Sequence, residues 1–189
     1  MVMFPPTYAK DRRLLQRTLK VSRRVLLPAL LLAVAPAARA QPAPDLAGVW
    51  KGTLVNLPLR PNATPVQVTM ELGALPTADG QCVPWKTTYS ERDTVRATKD
   101  YRLCRGTGPQ SLFVDEGGGV TLQTSLLGDV LVSSFKAGRV LLVTHLRVRG
   151  DTLEEEIITA EDLPATEGVV TMRSRSIQRL QLTRVRREI

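Results

Sequence analysis

The sequence predicts an all-β protein, an antiparallel up-and-down meander of about eight to ten strands that closes into a barrel. Hydrophobic and polar residues alternate over many short segments, as in Val66–Leu72, where every second side chain is apolar. Turn signals recur at intervals of roughly ten residues, and no segment shows a convincing amphipathic helix. A meander of this length must close or leave an exposed edge, and closure removes the edge.

Each predicted strand is a run of alternating residues between two turn signals. The turns fall at Asp115–Gly119, Gly128-Asp129, Lys136–Gly138 and Gly150-Asp151. Residues 173–179 have the least clear periodicity. The clearest strands, in chain order, are residues 49–55, 66–72, 82–89, 94–104, 120–126, 130–135, 140–149, 152–159 and 179–183.

The first 40 residues have the pattern of an export signal. A basic region precedes the apolar run 25–35, and Ala38-Arg39-Ala40 then provides small residues at a cleavage site. The apolar run is too short to span a bilayer, which takes roughly 20 residues. We therefore expect a signal peptide over residues 1–40 and a single exported domain over residues 41–189, periplasmic or secreted, with no membrane insertion after cleavage.

The export route stays open. Ser22-Arg23-Arg24 resembles the twin-arginine signal, and the alternative is an ordinary basic region that happens to end in two arginines. Residues 41–45 have the composition of a loose leader ahead of the first strand.

The basic charge of the chain belongs to the signal. Eight of the 26 Lys and Arg residues and one of the 18 acidic residues lie in residues 1–40, so the net charge falls from +8 to +1 in the remainder. A nearly neutral domain does not favour a nucleic-acid partner.

Cys82 and Cys104 are predicted to form a disulfide. They are equally distant from Asp93, so a hairpin that turns near Asp93 brings them face to face, and exported proteins meet an oxidising compartment. A metal site would need more ligands than two thiolates, and the spacing differs from that of a redox Cys-x-x-Cys pair.

Gly48-Val49-Trp50, at the start of the first strand, resembles the Gly-x-Trp that opens lipocalins and related calycin barrels. The resemblance, to bacterial exported lipocalin-like barrels, implies that an arginine near the last strand packs over the buried tryptophan and closes the barrel. Arg184 would be that residue here, with Trp50 as its partner.

A partial resemblance points to periplasmic protease-inhibitor barrels, which share the Gly-x-Trp opening and one disulfide. Their first cysteine follows the tryptophan closely, whereas Cys82 lies 32 residues beyond Trp50. This resemblance implies a protein partner in the cell envelope.

The sequence offers little catalytic chemistry, and we expect no enzyme, metal or cofactor. His145 is the single histidine, and nucleophilic catalysis usually needs a histidine base. An alternative role for His145 is as a haem ligand inside the barrel. Glu155 shares its strand face with Leu153 and Ile157, so it is expected to point inward, at the barrel mouth or against an arginine or a ligand.

The leading functional hypothesis is a carrier or sensor of a small apolar ligand, and the alternative is an inhibitor of an envelope hydrolase. A carrier predicts an interior cavity of roughly 300 Å³ or more. Ligand identity, protein partner and oligomeric state are not encoded in any motif. The candidate ligand-binding residues are Trp50, Trp85, Tyr89, Tyr101 and Glu155.

Overall fold

The computed structural model describes residues 43–108, 111–165 and 167–186, so the predicted signal peptide lies outside the described residues. Within these ranges the chain forms ten strands and no helix that could cross a membrane. The strands are β1 (Gly48–Leu57), β2 (Val66–Leu72), β3 (Cys82–Glu91), β4 (Thr94–Arg105), β5 (Ser111–Gly117), β6 (Val120–Leu127), β7 (Val130–Ala137), β8 (Val140–Arg149), β9 (Thr152–Asp162) and β10 (Met172–Arg184).

Each strand pairs antiparallel with the next, and β1 pairs with β10, which closes the barrel. The predicted all-β meander and its closure are therefore confirmed. The unclear stretch 173–179 belongs to β10, and a register shift between Ser174 and Ser176 explains its irregular alternation. β5 is a strand that the sequence did not delimit, because it has only seven residues and ends in a run of glycines.

The hairpin of β3 and β4 is tighter than the sequence suggested. Its turn is Arg92-Asp93, both with positive φ, rather than residues 90–93. Cys82 pairs directly with Cys104 in the ladder, and the two form a disulfide, as predicted. A disulfide is consistent with an oxidising compartment.

One end of the barrel, called here the closed end, is sealed around Trp50, which is 0% exposed. Arg184 pairs with Trp50 in the ladder, and its guanidinium carbon lies 4.1 Å from the centroid of the indole ring. The indole Nε1 donates a hydrogen bond to the carbonyl oxygen of Leu46 at 3.0 Å. The cation therefore covers the ring while the chain before β1 covers its edge.

The leader expected to be loose covers residues 41–45, of which the structure describes 43–45, and Asp45 is held in place together with the two residues that follow it. Leu46 is 1% exposed and belongs to the core. The Arg184 guanidinium donates to the carbonyl oxygens of Ala47 and, at 2.8 Å, of Asp45, and it also pairs with the Asp45 carboxylate. The leader is therefore held across the closed end by the arginine that covers Trp50.

Two glycines in β1 allow this close approach. Gly48 has φ of +141°, and a Cβ there would lie 3.1 Å from Nη1 of Arg184. A Cβ on Gly52 would overlap the backbone of Gln181 in β10. The Gly-x-Trp pattern thus has a steric reason: a side chain at position 48 would meet Arg184.

Replacing both cysteines with alanine should lower the free energy of unfolding by about 3 kcal/mol, because the link joins residues 22 positions apart and restricts the unfolded chain. Denaturant unfolding measures this change. Wild-type protein in dithiothreitol is the control and should unfold at the midpoint of the variant. Equal midpoints for the oxidised wild type and the variant would contradict a stabilising link.

Arg184→Met should lower the free energy of unfolding by about 2 kcal/mol, because it removes a cation from the indole face and two hydrogen bonds to carbonyls. Arg186→Met is the matched control, since Arg186 is exposed and, among the described residues, forms a surface ion pair with Asp151. We expect this variant to lower the free energy of unfolding by less than about 0.5 kcal/mol. Similar losses of unfolding free energy in both variants would show that the contact between Arg184 and the indole adds nothing to stability.

Candidate functional site

The barrel interior contains a cavity of about 100 Å³ between the closed end and the opposite end. One wall is aromatic and the other is aliphatic, with hydroxyl groups between them. The lining residues include Trp85, Thr87, Tyr89, Lys99, Tyr101, Val114, Glu116, Leu122, Thr124, Leu131, Ser133, Phe135, Leu142, Thr144, Leu146, Glu155 and Ile157.

Glu155 is the main polar group of the cavity. Its ladder neighbours are Leu146 on β8 and Leu180 on β10, and it is only 8% exposed. No hydrogen bond or ion pair joins its carboxyl group to any other residue that the structure describes. Burial raises the pKa of Glu155 to about 7, although the positive charge of Lys99 opposes this shift.

Lys99 and two tyrosines face the interior from β3 and β4. The Lys99 ammonium lies 5.9 Å from the ring centroid of Tyr89 and 6.0 Å from that of Tyr101. Burial, followed by the negative charge of Glu155, raises the pKa of Tyr89. Burial also raises the pKa of Tyr101, and the charge of Glu116 with a hydrogen bond to its carboxylate adds to the shift. Both phenols are therefore neutral hydrogen-bonding groups at ordinary pH.

The barrel wall is incomplete beside the cavity. The ladder between β4 and β5 covers only residues 102–105 and 112–115, so among the described residues the first part of β4 pairs with β3 alone. Residues 94–100 are exposed on both faces of the strand. We call this gap the side opening. Lys99, Tyr101 and Glu116 lie next to it, so the cavity can be reached from the side.

The structure brings four of the five predicted ligand-binding residues together. Trp85, Tyr89, Tyr101 and Glu155 all line the cavity. Trp50 does not line it, because the indole is fully buried under Arg184 at the closed end. The assignment of Trp50 to ligand binding is therefore wrong on this geometry, and Trp50 contributes to barrel closure.

The surroundings of Glu155 differ in part from the expectation. The sequence allowed a position at the mouth, a contact with an arginine or a contact with a ligand. The described residues give neither of the first two, and the third stays a prediction. Leu180 on β10 lies at the level of Glu155, and one further inward-facing position, occupied by Leu182, separates that level from Arg184. Glu155 is therefore inside the barrel, and the charge that affects its pKa is that of Lys99.

His145 lies outside the barrel. It is exposed and pairs with Glu156 and Val132, whereas its neighbour Leu146 is buried inside. The alternative of an internal haem ligand is wrong, because the side chain is on the opposite face of the sheet. Among the described residues, no group of three or more His, Cys, Asp and Glu side chains is arranged to hold a metal ion.

Sequence reasoning missed Lys99 and Glu116. Lys99 is opposite Thr87 in the β3–β4 ladder, and Thr87 is buried, so the register of the disulfide hairpin could have indicated that Lys99 faces inward. Glu116 follows Leu112 and Val114 at a spacing of two, which is the same signal. Neither residue was predicted to line the cavity, because charged residues in a strand are usually assigned to the solvent face.

The cavity is also smaller than expected. A volume of about 100 Å³ is well below the roughly 300 Å³ or more that the carrier hypothesis predicted, so that expectation is wrong. Leucine, valine, methionine and tryptophan side chains fill the remainder of the interior. The cavity therefore fits a molecule of only a few non-hydrogen atoms, or one end of a longer molecule.

Comparisons of this chain with protein families, with characterised proteins and with solved structures found no match.

The raised pKa of Glu155 makes stability depend on pH. Between pH of about 4.5 and 7 the folded protein holds a proton that the unfolded chain releases, so stability falls as pH rises through this window. Glu155→Gln removes the effect. We expect the variant to match the wild type at pH 4 and to exceed it by about 3 kcal/mol at pH 8.

Denaturant unfolding at both pH values measures this difference. Glu154→Gln, on the outer face of the same strand, is the control and should leave the pH dependence unchanged. A gap between the wild type and Glu155→Gln that stays constant from pH 4 to pH 8 would show that Glu155 does not titrate in this window.

Proposed function

We propose that this chain is an exported binding protein, periplasmic or secreted, that holds a small, mostly apolar ligand inside its barrel and catalyses no reaction. The observation that carries the proposal is the Glu155 carboxyl group, more than nine-tenths buried, facing a cavity and without a partner among the described residues. An isolated buried carboxyl group is unfavourable. A bound molecule that hydrogen-bonds to it removes this cost.

The composition of the walls supports the same conclusion. Aromatic and aliphatic side chains surround a few polar groups, which is the usual character of small-molecule sites. Thr144 donates a hydrogen bond to Ser133 at 3.2 Å, so these hydroxyls are already ordered. The volume limits the part of the ligand inside to about three or four non-hydrogen atoms, since a water molecule takes about 30 Å³ in the liquid.

Export and the relation to lipocalin-like barrels are parts of the proposal. The signal pattern in residues 1–40 and the disulfide support export. The stacking of Arg184 on Trp50, with Gly48 beside them, supports the relation to lipocalin-like barrels. Glu155 is the buried carboxyl group among the described residues that line the cavity, whereas acid–base catalysis commonly uses two converging groups.

A second candidate function, a protein-binding module, is favoured by the surface of the end opposite the closed end. Of the eight large hydrophobic residues exposed in the described part of the chain, six lie at this end, and an open groove of about 900 Å³ follows the β1–β2 loop. The six are Leu59, Val95, Val120, Leu163, Val169 and Val170. Exposed apolar clusters of this kind often bind proteins.

Native mass spectrometry of protein purified from its own envelope tests both candidates. A retained small molecule is the expected result, and a retained protein would favour the protein-binding module instead. Recovery of the bare chain from every preparation, with no added mass, would count against both functions.

Ser133→Met tests the location of the small molecule. Ser133 is buried and lines the cavity, so a flexible methionine should fill the space and reduce the bound fraction at least tenfold. Ser134→Met, one residue along β7 and exposed on the outer face, is the matched control and should bind normally. Equal retention by the two variants would locate the molecule outside the cavity.

A further inference from the structure

We infer that the ligand is a monocation, a small amine that is protonated at neutral pH, with its charged end against Glu155 and its apolar part along the aromatic wall. This inference rests on the proposed function and specifies the chemical class of the ligand for the same cavity.

The first argument is the charge of the lining. Among the described residues that line the cavity, two are acidic, Glu116 and Glu155, and one is basic, Lys99. With both carboxyl groups ionised, the lining carries one negative charge in excess. A ligand with a single positive charge neutralises it, whereas an anion would double the imbalance.

The second argument is that the charges at the side opening already have partners. Tyr101 engages Glu116, and Lys99 lies near the faces of Tyr89 and Tyr101 while remaining exposed to solvent. Glu155 has no hydrogen bond or ion pair with any described residue, and it faces the empty space. The unmatched negative charge is therefore inside the cavity, where water is least able to stabilise it.

The third argument is the fit of an alkylammonium ion to the walls. The Trp85 ring lines the aromatic wall with no lysine over its face among the described residues, and aromatic faces attract cations and also pack against methylene groups. An ammonium group on a short alkyl chain satisfies Glu155 at one end and this wall along its length. Propylamine, with four non-hydrogen atoms, matches the limit set by the cavity of about 100 Å³.

The pH dependence follows from the groups around Glu155. The ladder neighbours on β8 and β10 are apolar, and the charged or titratable groups that face Glu155 are Lys99, Tyr101, Tyr89 and Glu116. An ammonium ion binds the ionised carboxylate and displaces its proton. Because the ionised fraction of a group with a pKa of about 7 increases about 30-fold from pH 5.5 to pH 8, amine affinity should increase by up to that factor.

Isothermal titration calorimetry of the full mature chain with propylamine, 1-propanol and propanoate tests the inference at pH 5.5 and pH 8. Propylamine should bind at least tenfold more tightly than the other two at pH 8. Glu155→Gln should remove this preference, and Lys99→Met should strengthen propylamine binding severalfold because a like charge is removed. Glu154→Gln is the control and should behave as the wild type.

The outcomes separate the two proposals. If 1-propanol or propanoate binds as tightly as propylamine, or if Glu155→Gln keeps the preference for the amine, the cation inference fails and the binding function stands. If none of the three molecules binds to the wild type, both fail. A thermal melt of Glu155→Gln at pH 5.5, where the wild-type carboxyl group is mostly protonated, verifies that the variant folds.

Discussion

The pairing of β1 with β10 is the contact on which the rest of this structure depends. The strands between them form a continuous series of neighbours, and only this last ladder converts the series into a closed wall. In this ladder Gly52 leaves no room for a side chain against the backbone of β10, and Arg184 covers Trp50. The same ladder sets the register of Leu180, which is the apolar neighbour of Glu155. Barrel closure and the environment of the cavity therefore have one structural origin.

Closure is uneven around the ring, and this has a functional consequence. The β1–β10 ladder joins eight residue pairs, whereas the β4–β5 and β6–β7 ladders join four each. The short hairpin of β5 and β6 cannot cover the long hairpin of β3 and β4, which the disulfide holds together only at its base near the closed end. The barrel is thus firmly sealed on one side and open on the other, next to the residues that line the cavity.

Much of this could be predicted because its physical signals are local. Period-two alternation identified most strands, equal distance from Asp93 identified the disulfide pair, and the neighbours Leu153 and Ile157 showed that Glu155 points inward. The position of Trp50 relative to the cavity could not be predicted in the same way. It depends on which inward-facing residues lie at the same level of a twisted barrel, and this requires the register of all ten described strands.

Volume was the least predictable property, because it results from packing rather than from pattern. Inward-facing positions could be identified along each strand, but how far leucine and aromatic side chains extend across a closed ring depends on their mutual fit. In this barrel they fill most of the interior, and the cavity found among the described residues lies next to Glu155 and the hydroxyl groups of β6 to β8. The polar residues of the wall therefore lie where the apolar side chains no longer fill the interior. A leucine in place of Glu155 would fill the space and stabilise the barrel. The presence of a buried carboxyl group there instead is better explained by a role in binding than by a role in stability.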